Sequence, residues 1–142
     1  MDPLSLTASI IAIVQLSGTI GKGLKRIINL KNAPDIFLAL NNEVADLQCI
    51  VQDTDDLLRQ NPDITGIDPI ASVGRALDKA KRTLYRLESL LAYELTAIKR
   101  KDNETKLDRS VWLRAERKVQ QLKDDIREDK LSLSSALSVL TS

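Results

Sequence analysis

The feature that most constrains this chain is an uncharged stretch near its start. Residues 3–21 contain no charged side chain, although the 142 residues include 21 Lys or Arg and 20 Asp or Glu. As a helix rising about 1.5 Å per residue, the stretch would span roughly the 30 Å hydrocarbon core of a bilayer. It therefore has two interpretations. We favour the buried central helix of a bundle over a helix that also enters a membrane.

Local signals predict a first helix over residues 3–29. Asp2 is a suitable N-cap, because its carboxylate can accept hydrogen bonds from first-turn amides, and Pro3 suits the first helical position. Apolar residues, interrupted by Ser17, then recur at steps of three and four and form one stripe: Leu6, Ile10, Ile13, Ile20, Leu24 and Ile27. The opposite side is small or neutral and becomes basic only near its end, so the stripe requires a partner.

The same apolar spacing predicts three further helices. They cover residues 35–60, 69–99 and 109–129, and a change of phase after residue 129 indicates either a kinked continuation or a short fifth helix at 131–141. Amphipathic helices with short connections can bury their stripes only against one another. We therefore expect one all-α domain over residues 1–142, an antiparallel up-and-down four-helix bundle with that short C-terminal helix as an optional fifth.

Polar segments connect the predicted helices. Asn32 is a candidate N-cap just before the helix start at Pro34. Residues 61–69 form a linker, because their prolines and glycine oppose a continued helix. Residues 99–109 contain no apolar side chain except Leu107, which predicts a polar and mobile connection.

Composition narrows the classes of protein that fit. Aromatic residues make up 3% of the chain, and five glycines with four prolines leave little turn material for an all-β fold. The first 71 residues carry five Lys or Arg against nine Asp or Glu, and the remainder sixteen against eleven. The second half is thus better suited to anionic surfaces than the first, and without an aromatic platform neither half indicates nucleic-acid binding. The single cysteine, Cys49, excludes an internal disulfide and fits a reducing compartment.

Most catalytic and metal-binding chemistry lacks its residues here. The chain has no histidine, which removes the commonest general base, the serine triad and most zinc sites. Gly18 and Gly21 stand at the wrong spacing before Lys22 for a phosphate-binding loop, so we expect them to allow close helix approach or a bend. The acidic clusters at residues 53–56 and 124–129 suit solvated helix faces. We therefore expect no enzyme activity, no cofactor and no metal.

The opening of the chain carries a family resemblance. Its first sixteen residues, Met-Asp-Pro-Leu-Ser-Leu-Thr-Ala-Ser-Ile-Ile-Ala-Ile-Val-Gln-Leu, resemble the start of the fungal N-terminal domain of STAND proteins, which is related to HeLo-like domains. Weaker similarity continues at residues 33–34, 40–47 and 122–137, and thus covers most of the chain. The resemblance implies an N-terminal signalling domain of an NLR-like receptor, acting in nonself recognition, innate immunity or programmed cell death. Such domains normally precede an NTPase module and repeats, so we expect an excised domain or a protein made of this domain alone.

HeLo-like domains are similar to cell-death bundles in which an N-terminal helical region acts on membranes after clustering. By that resemblance, one set of first-helix side chains would be buried at rest and available to lipid after release: Leu6, Ile10, Ile13, Val14 and Leu16. Lys22, Lys25 and Arg26 would anchor at anionic headgroups, at about 1 kcal/mol each. A second candidate basic patch comprises Lys79, Lys81, Arg82 and Arg86. For all these cations the plain alternative is a solvated helix face.

These observations predict a cytoplasmic protein that relocates to the plasma membrane on activation. Its expected partners are further copies of itself, other signalling domains and an anionic membrane, and not nucleic acid. If the first helix inserts, the basic residues at its end should stay on the cytosolic side. Two alternatives remain open: a helical interaction or oligomerisation adaptor without membrane activity, and a lipid carrier, which would need a cavity within the bundle.

Overall fold

The computed structural model describes residues 3–61, 68–95, 98–101 and 104–141. Four α-helices make up most of it: α1, Pro3–Ile28; α2, Ile36–Gln60; α3, Asp68–Ser89; and α4, Arg109–Thr141. A π-helical turn, Leu90–Glu94, follows α3, and two short strands precede α4: β1, Ile98–Lys101, and β2, Glu104–Leu107. The predicted all-α bundle is confirmed. The predicted cap at Asp2 lies outside the described residues.

Each helix packs along two others, and the chain direction alternates. α1 lies against α2 and α3, and α4 lies against the same two helices. Ser9 contacts Asp78, and a Cβ built on Gly23 would lie 3.5 Å from Leu91 Cδ1, so α1 and α3 run parallel. Within the described residues, α2 and α3 share no extensive contact. α2 and α3 therefore lie at opposite corners of the bundle, and most of the linker predicted at residues 61–69 lies outside the described residues.

The core is formed by the stripes that the sequence predicts. Every stripe residue of α1 from Leu6 to Ile27 is buried, and α2 contributes Phe37, Leu40, Val44, Leu47 and Val51. Full burial of each such side chain stabilises the fold by about 1.5–3 kcal/mol. At the start of α2 and α4, the rings of Phe37 and Trp112 lie 5.2 Å apart, which fixes these two helix ends beside each other.

The C-terminal segment belongs to α4, which runs without a break through residue 129. This decides between the two predicted alternatives in favour of one helix, and the described residues contain no separate fifth helix. The buried positions of α4 keep their spacing throughout: Ala115, Val119, Leu122, Ile126, Asp129, Leu133 and Ala136. The change of phase in the sequence arises because an aspartate occupies one stripe position.

The connection between α3 and α4 differs from the prediction. The third helix was expected to reach residue 99, but its α-helical part ends at Ser89 and its π-helical turn ends at Glu94. Residues 99–109, expected to be a mobile connection, include most of an antiparallel hairpin in which Ile98 pairs with Leu107. Hydrogen bonds between the two backbones hold these strands together, and the polarity of the side chains does not reveal such pairing.

Asn32 holds this hairpin to the connection between α1 and α2. The Leu107 N–H donates to Asn32 Oδ1 at 2.9 Å, and Asn32 Nδ2 donates to the Leu107 carbonyl at 3.0 Å. Asn32 is thus not the cap of α2, and Asp35 at the N-cap position makes no side-chain capping bond. The start predicted for α4 is confirmed, because Asp108 Oδ1 accepts from the Ser110 N–H at 2.8 Å.

A candidate membrane-acting helix and its surroundings

The apolar residues expected to meet lipid lie in the core of the bundle. Leu6, Ile10, Ile13 and Leu16 are each at most 7% exposed, and Val14 is half-buried. They face α2 and α3, because the stripe of α1 is the surface that those helices cover. By length and composition, Ser5–Ile28 is the one segment among the described residues that could cross a membrane. A core helix passes the same test, so its burial is the informative fact.

The outer face of α1 lacks charge along most of its length. Ala8, Gln15 and Thr19 are exposed, and Ile11 is 51% exposed. Exposed helix faces usually carry charged side chains, which keep them hydrated. Entry of residues 5–21 into hydrocarbon would therefore transfer no ionised side chain, which removes the largest barrier to insertion.

Among the contacts between described residues, few polar ones join α1 to the other helices. Ser9 Oγ donates to Asp78 Oδ1 at 3.3 Å, and the buried Ser17 hydroxyl has no hydrogen-bond partner among the described residues. An unsatisfied buried hydroxyl costs about 1–3 kcal/mol. Within the described residues, no ion pair joins α1 to another helix. The attachment of α1 therefore depends mainly on apolar packing.

The glycines of α1 do not have the packing role expected of them. A Cβ built on Gly18 or Gly21 would meet nothing within 4 Å, and one on Gly23 would make only an ordinary contact with Leu91. Neither Gly18 nor Gly21 thus serves close helix approach. Each lowers the stability of the helix by about 0.5–1 kcal/mol relative to alanine.

The cations at the end of α1 are accessible. Lys22, Lys25 and Arg26 are all exposed, and none forms an ion pair with a described residue. Arg26 borders a cleft of about 210 Å³ between α1 and the π-helical turn, with Leu91 and Leu95 among its lining residues. These cations are free to meet an anionic surface.

The second candidate basic patch is engaged within the bundle. Arg86 Nη2 lies 2.7 Å from Asp125 Oδ2, Lys79 Nζ lies 3.8 Å from Asp129 Oδ1, and Lys81 Nζ lies 3.9 Å from Asp78 Oδ1. Of the four residues, only Arg82 is exposed without a carboxylate partner among the described residues. The structure does not bring Lys79, Lys81, Arg82 and Arg86 together as one free surface.

A buried carboxylate in the seam between α3 and α4 corrects the expectation that the acidic cluster at residues 124–129 lies entirely on a solvated helix face. Asp129 is 0% exposed, and neither of its carboxylate oxygens accepts a hydrogen bond from a described residue. Burial raises the pKa of Asp129, although Thr83 and Lys79 oppose this. The Thr83 hydroxyl lies near Asp129, but its hydrogen bond goes to the Lys79 carbonyl, at 3.1 Å. The signal that could have found Asp129 is its place on the apolar stripe, between Ile126 and Leu133.

A charge network joins α2 to α4. Lys130 Nζ lies 2.8 Å from Glu43 Oε2 and 3.3 Å from Asp46 Oδ2, and Arg127 Nε lies 3.4 Å from Glu43 Oε1. The Lys130 hydrogen bond lowers the pKa of Glu43, and the same contact raises the pKa of Lys130. Together with the Arg86 pair between α3 and α4, the network links three helices by charge and leaves α1 out.

Neither metal chemistry nor a known relative accounts for this arrangement. In the part of the chain that the structure describes, no group of three or more His, Cys, Asp or Glu side chains could hold a metal ion. Comparisons of the chain with protein-family models, with curated proteins and with solved structures found no match. The function must therefore be inferred from the helix and its contacts.

Proposed function

We propose that this chain is a non-enzymatic N-terminal signalling domain of a fungal NLR-like (STAND) receptor. It acts in nonself recognition or programmed cell death, by oligomerisation and by targeting α1 to a membrane. The protein is cytoplasmic at rest and reaches the plasma membrane on activation, and NTPase and repeat segments would belong to the complete receptor. The proposal is supported chiefly by one observation: among the described residues, the one helix long and apolar enough to span a bilayer is also the one that no ion pair joins to another helix.

The burial of α1 supports a resting state that requires activation. Seven of its apolar side chains are buried: Leu6, Ile10, Ile13, Leu16, Ile20, Leu24 and Ile27. Exposing them to water would cost on the order of 10–20 kcal/mol, at about 1.5–3 kcal/mol each. Lipid or neighbouring copies must offset this cost before α1 leaves the bundle. Clustering at a membrane can provide both.

A reducible tether on α1 tests this proposal. Ser9 and Asp78 lie in contact across α1 and α3, so Ser9→Cys with Asp78→Cys allows the helices to be joined by a short reducible crosslinker. Cys49 is exposed and is replaced by serine in the same protein. With a fused inducible dimeriser to cluster the chain, the tethered protein should not release dye from anionic vesicles. Reduction should restore release to the level of the uncrosslinked protein.

A tether elsewhere in the bundle provides the matched control. Asp46→Cys with Lys130→Cys joins α2 to α4 by the same chemistry and leaves α1 free, so it should permit dye release before reduction. Full release from the Ser9–Asp78 tethered protein would show that α1 need not leave the bundle, and the proposal would be wrong. Thermal unfolding monitored by circular dichroism verifies that each tethered protein is folded.

The alternative is an interaction or oligomerisation adaptor without membrane activity. The groove between α3 and α4 favours it, with a volume of about 570 Å³ and both tyrosines of the chain, Tyr85 and Tyr93, in its lining. Stable self-association by the clustered, untethered protein without dye release would support the adaptor. Release that requires a free α1 would exclude it as the whole function.

A further inference from the structure

The fold gathers dispersed cations at one end of the bundle. We define the hairpin end as the described residues within 22–38 and 88–118. Three contacts hold its parts together: Asn32 with Leu107, Gly23 with Leu91, and Phe37 with Trp112. Among the side chains that the structure describes, the hairpin end contains nine Lys or Arg against four Asp or Glu, and the rest of the chain contains nine against ten. Charge is thus segregated along the bundle axis.

Several of these cations are available to a partner. Lys22, Lys25, Arg26, Arg109 and Arg117 are exposed and form no ion pair among the described residues. They come from the end of α1 and the start of α4, which are far apart in sequence. Because α1 and α4 occupy opposite corners, only the folded bundle brings these cations to the same end of the molecule.

Exposed apolar side chains accompany the cations. Tyr93 is 85% exposed, Leu113 is 58% exposed and Leu38 is 53% exposed. Leu38 and Leu113 each follow a member of the Phe37 and Trp112 pair, so both lie near the start of their helices, at this end of the bundle. A bilayer surface accepts both kinds of group, because phosphates attract cations while tyrosine and leucine partition into the interface.

We propose that the hairpin end docks on an anionic lipid bilayer and sets the orientation of the bundle on it. This inference rests on the proposed membrane function and adds the docking face and the geometry. The end of α1 then lies at the headgroups, and its start lies roughly 40 Å away, since a helix of 26 residues rises about 1.5 Å per residue. Docking precedes insertion, and α1 must turn about the connection to α2 to enter the bilayer.

Charge removal at the hairpin end tests the docking face. The variant Lys25→Gln, Arg26→Gln, Arg109→Gln, Arg117→Gln is compared in co-sedimentation with vesicles containing 30% phosphatidylserine. We expect roughly fivefold weaker binding for each cation removed, and more than a hundredfold for all four. The pairs at residues 25 and 26 and at residues 109 and 117, made separately, should each cause part of the loss.

A control variant of the same net charge distinguishes the contribution of the hairpin end to vesicle binding from the effect of overall charge. Arg59→Gln, Arg75→Gln, Arg82→Gln, Lys123→Gln also removes four cations, all from other parts of the bundle, and should change binding by less than threefold. An equal loss in both variants would overturn the inference. So would unchanged vesicle binding by the hairpin-end variant, or loss of its self-association without lipid, which would make a second copy the partner.

A fluorescent label reports orientation independently of affinity. In a Cys49→Ser background, an environment-sensitive dye on Tyr93→Cys should shift to the blue with vesicles, and the same dye on Val139→Cys should not. Equal shifts would overturn the docking geometry. Dye release remains a separate readout: docking without release would reject the proposed function alone, and release with both labels unshifted would reject this inference alone.

Discussion

At the scale of single residues, two carboxylates in α4 and α2 have opposite electrostatic surroundings. Asp129 is buried in the α3–α4 seam without hydrogen bonds, and burial raises its pKa. Glu43 is half-buried between Lys130 and Arg127, which lower its pKa. The ionised form is thus costly at Asp129 and favourable at Glu43, so the two residues have opposite effects on the pH dependence of stability.

The substitution Asp129→Asn should stabilise the bundle at neutral pH by about 1–3 kcal/mol, because it removes a buried charge without adequate partners. A pKa raised on folding means that the contribution of Asp129 is complete below its ordinary value of 3.8 and is lost as pH rises through the folded value. The advantage of the variant should therefore grow as pH rises from 3.8. Urea unfolding between pH 4 and 8 measures it.

The control for this experiment is Asp124→Asn, which alters an exposed carboxylate in the same helix and should change stability by less than about 0.5 kcal/mol. If Asp129→Asn is less stable than the unaltered chain at every pH, Lys79 neutralises the carboxylate effectively, and the interpretation of Asp129 as a destabilising charge is wrong.

The substitution Glu43→Gln should destabilise the bundle by about 1–2 kcal/mol at pH 7, between the values for exposed and for buried ion pairs. Because folding lowers the pKa of Glu43, its contribution is present above 4.5 and is lost as pH falls through the folded value. Denaturant midpoints of the variant and the unaltered chain should therefore converge in acid. Arg59→Gln, which breaks the more exposed ion pair with Asp55, should lower stability by less. An equal loss of stability in the two variants would contradict the larger contribution assigned to Glu43.

At the scale of elements, α1 combines strong apolar burial with weak helix stability. Its stripe packs fully, yet Gly18 and Gly21 have no contact that requires a missing side chain. If α1 leaves its neighbours as proposed, the two glycines would make this easier, because they lower the stability of the packed helix. Stability and release of α1 should therefore change in opposite directions.

The double substitution Gly18→Ala, Gly21→Ala should raise the stability of the bundle by about 1–2 kcal/mol, because alanine favours the helix and both added methyl groups have space. Thermal unfolding measures this gain. The same variant should release vesicle dye more slowly after clustering if α1 must detach. Faster release by a stabilised variant would contradict that requirement. Ala8→Gly, at an exposed position of the same helix, is the control: it should lower stability and speed the release of dye.

At the scale of the whole molecule, the packing order explains how the other three helices could remain connected without α1. α4 contacts α2 and α3, and ion pairs support both seams. α1 occupies the remaining corner, where it covers the apolar faces of α2 and α3. Its departure would leave the other three helices linked by charge and by their own packing.

The four helices, their buried stripes and the uncharged character of α1 can all be predicted from the amino-acid pattern. These features are local, because the spacing of Leu6, Ile10 and Ile13 fixes a helix face whatever covers it. The cations Lys22 and Arg26 were likewise found from the sequence alone. The hairpin and the continuity of α4 were not, since backbone pairing and an aspartate at a core position obscure the pattern.

Only the tertiary structure decided which charges are free and which are engaged. Arg86 and Lys79 are as basic in sequence as Lys25, but they meet Asp125 and Asp129 across the α3–α4 seam. The hairpin end likewise exists only once residues distant in the chain meet at one end of the bundle. Burial and ion pairing depend on these non-local distances, and periodicity along a single helix contains no information about them.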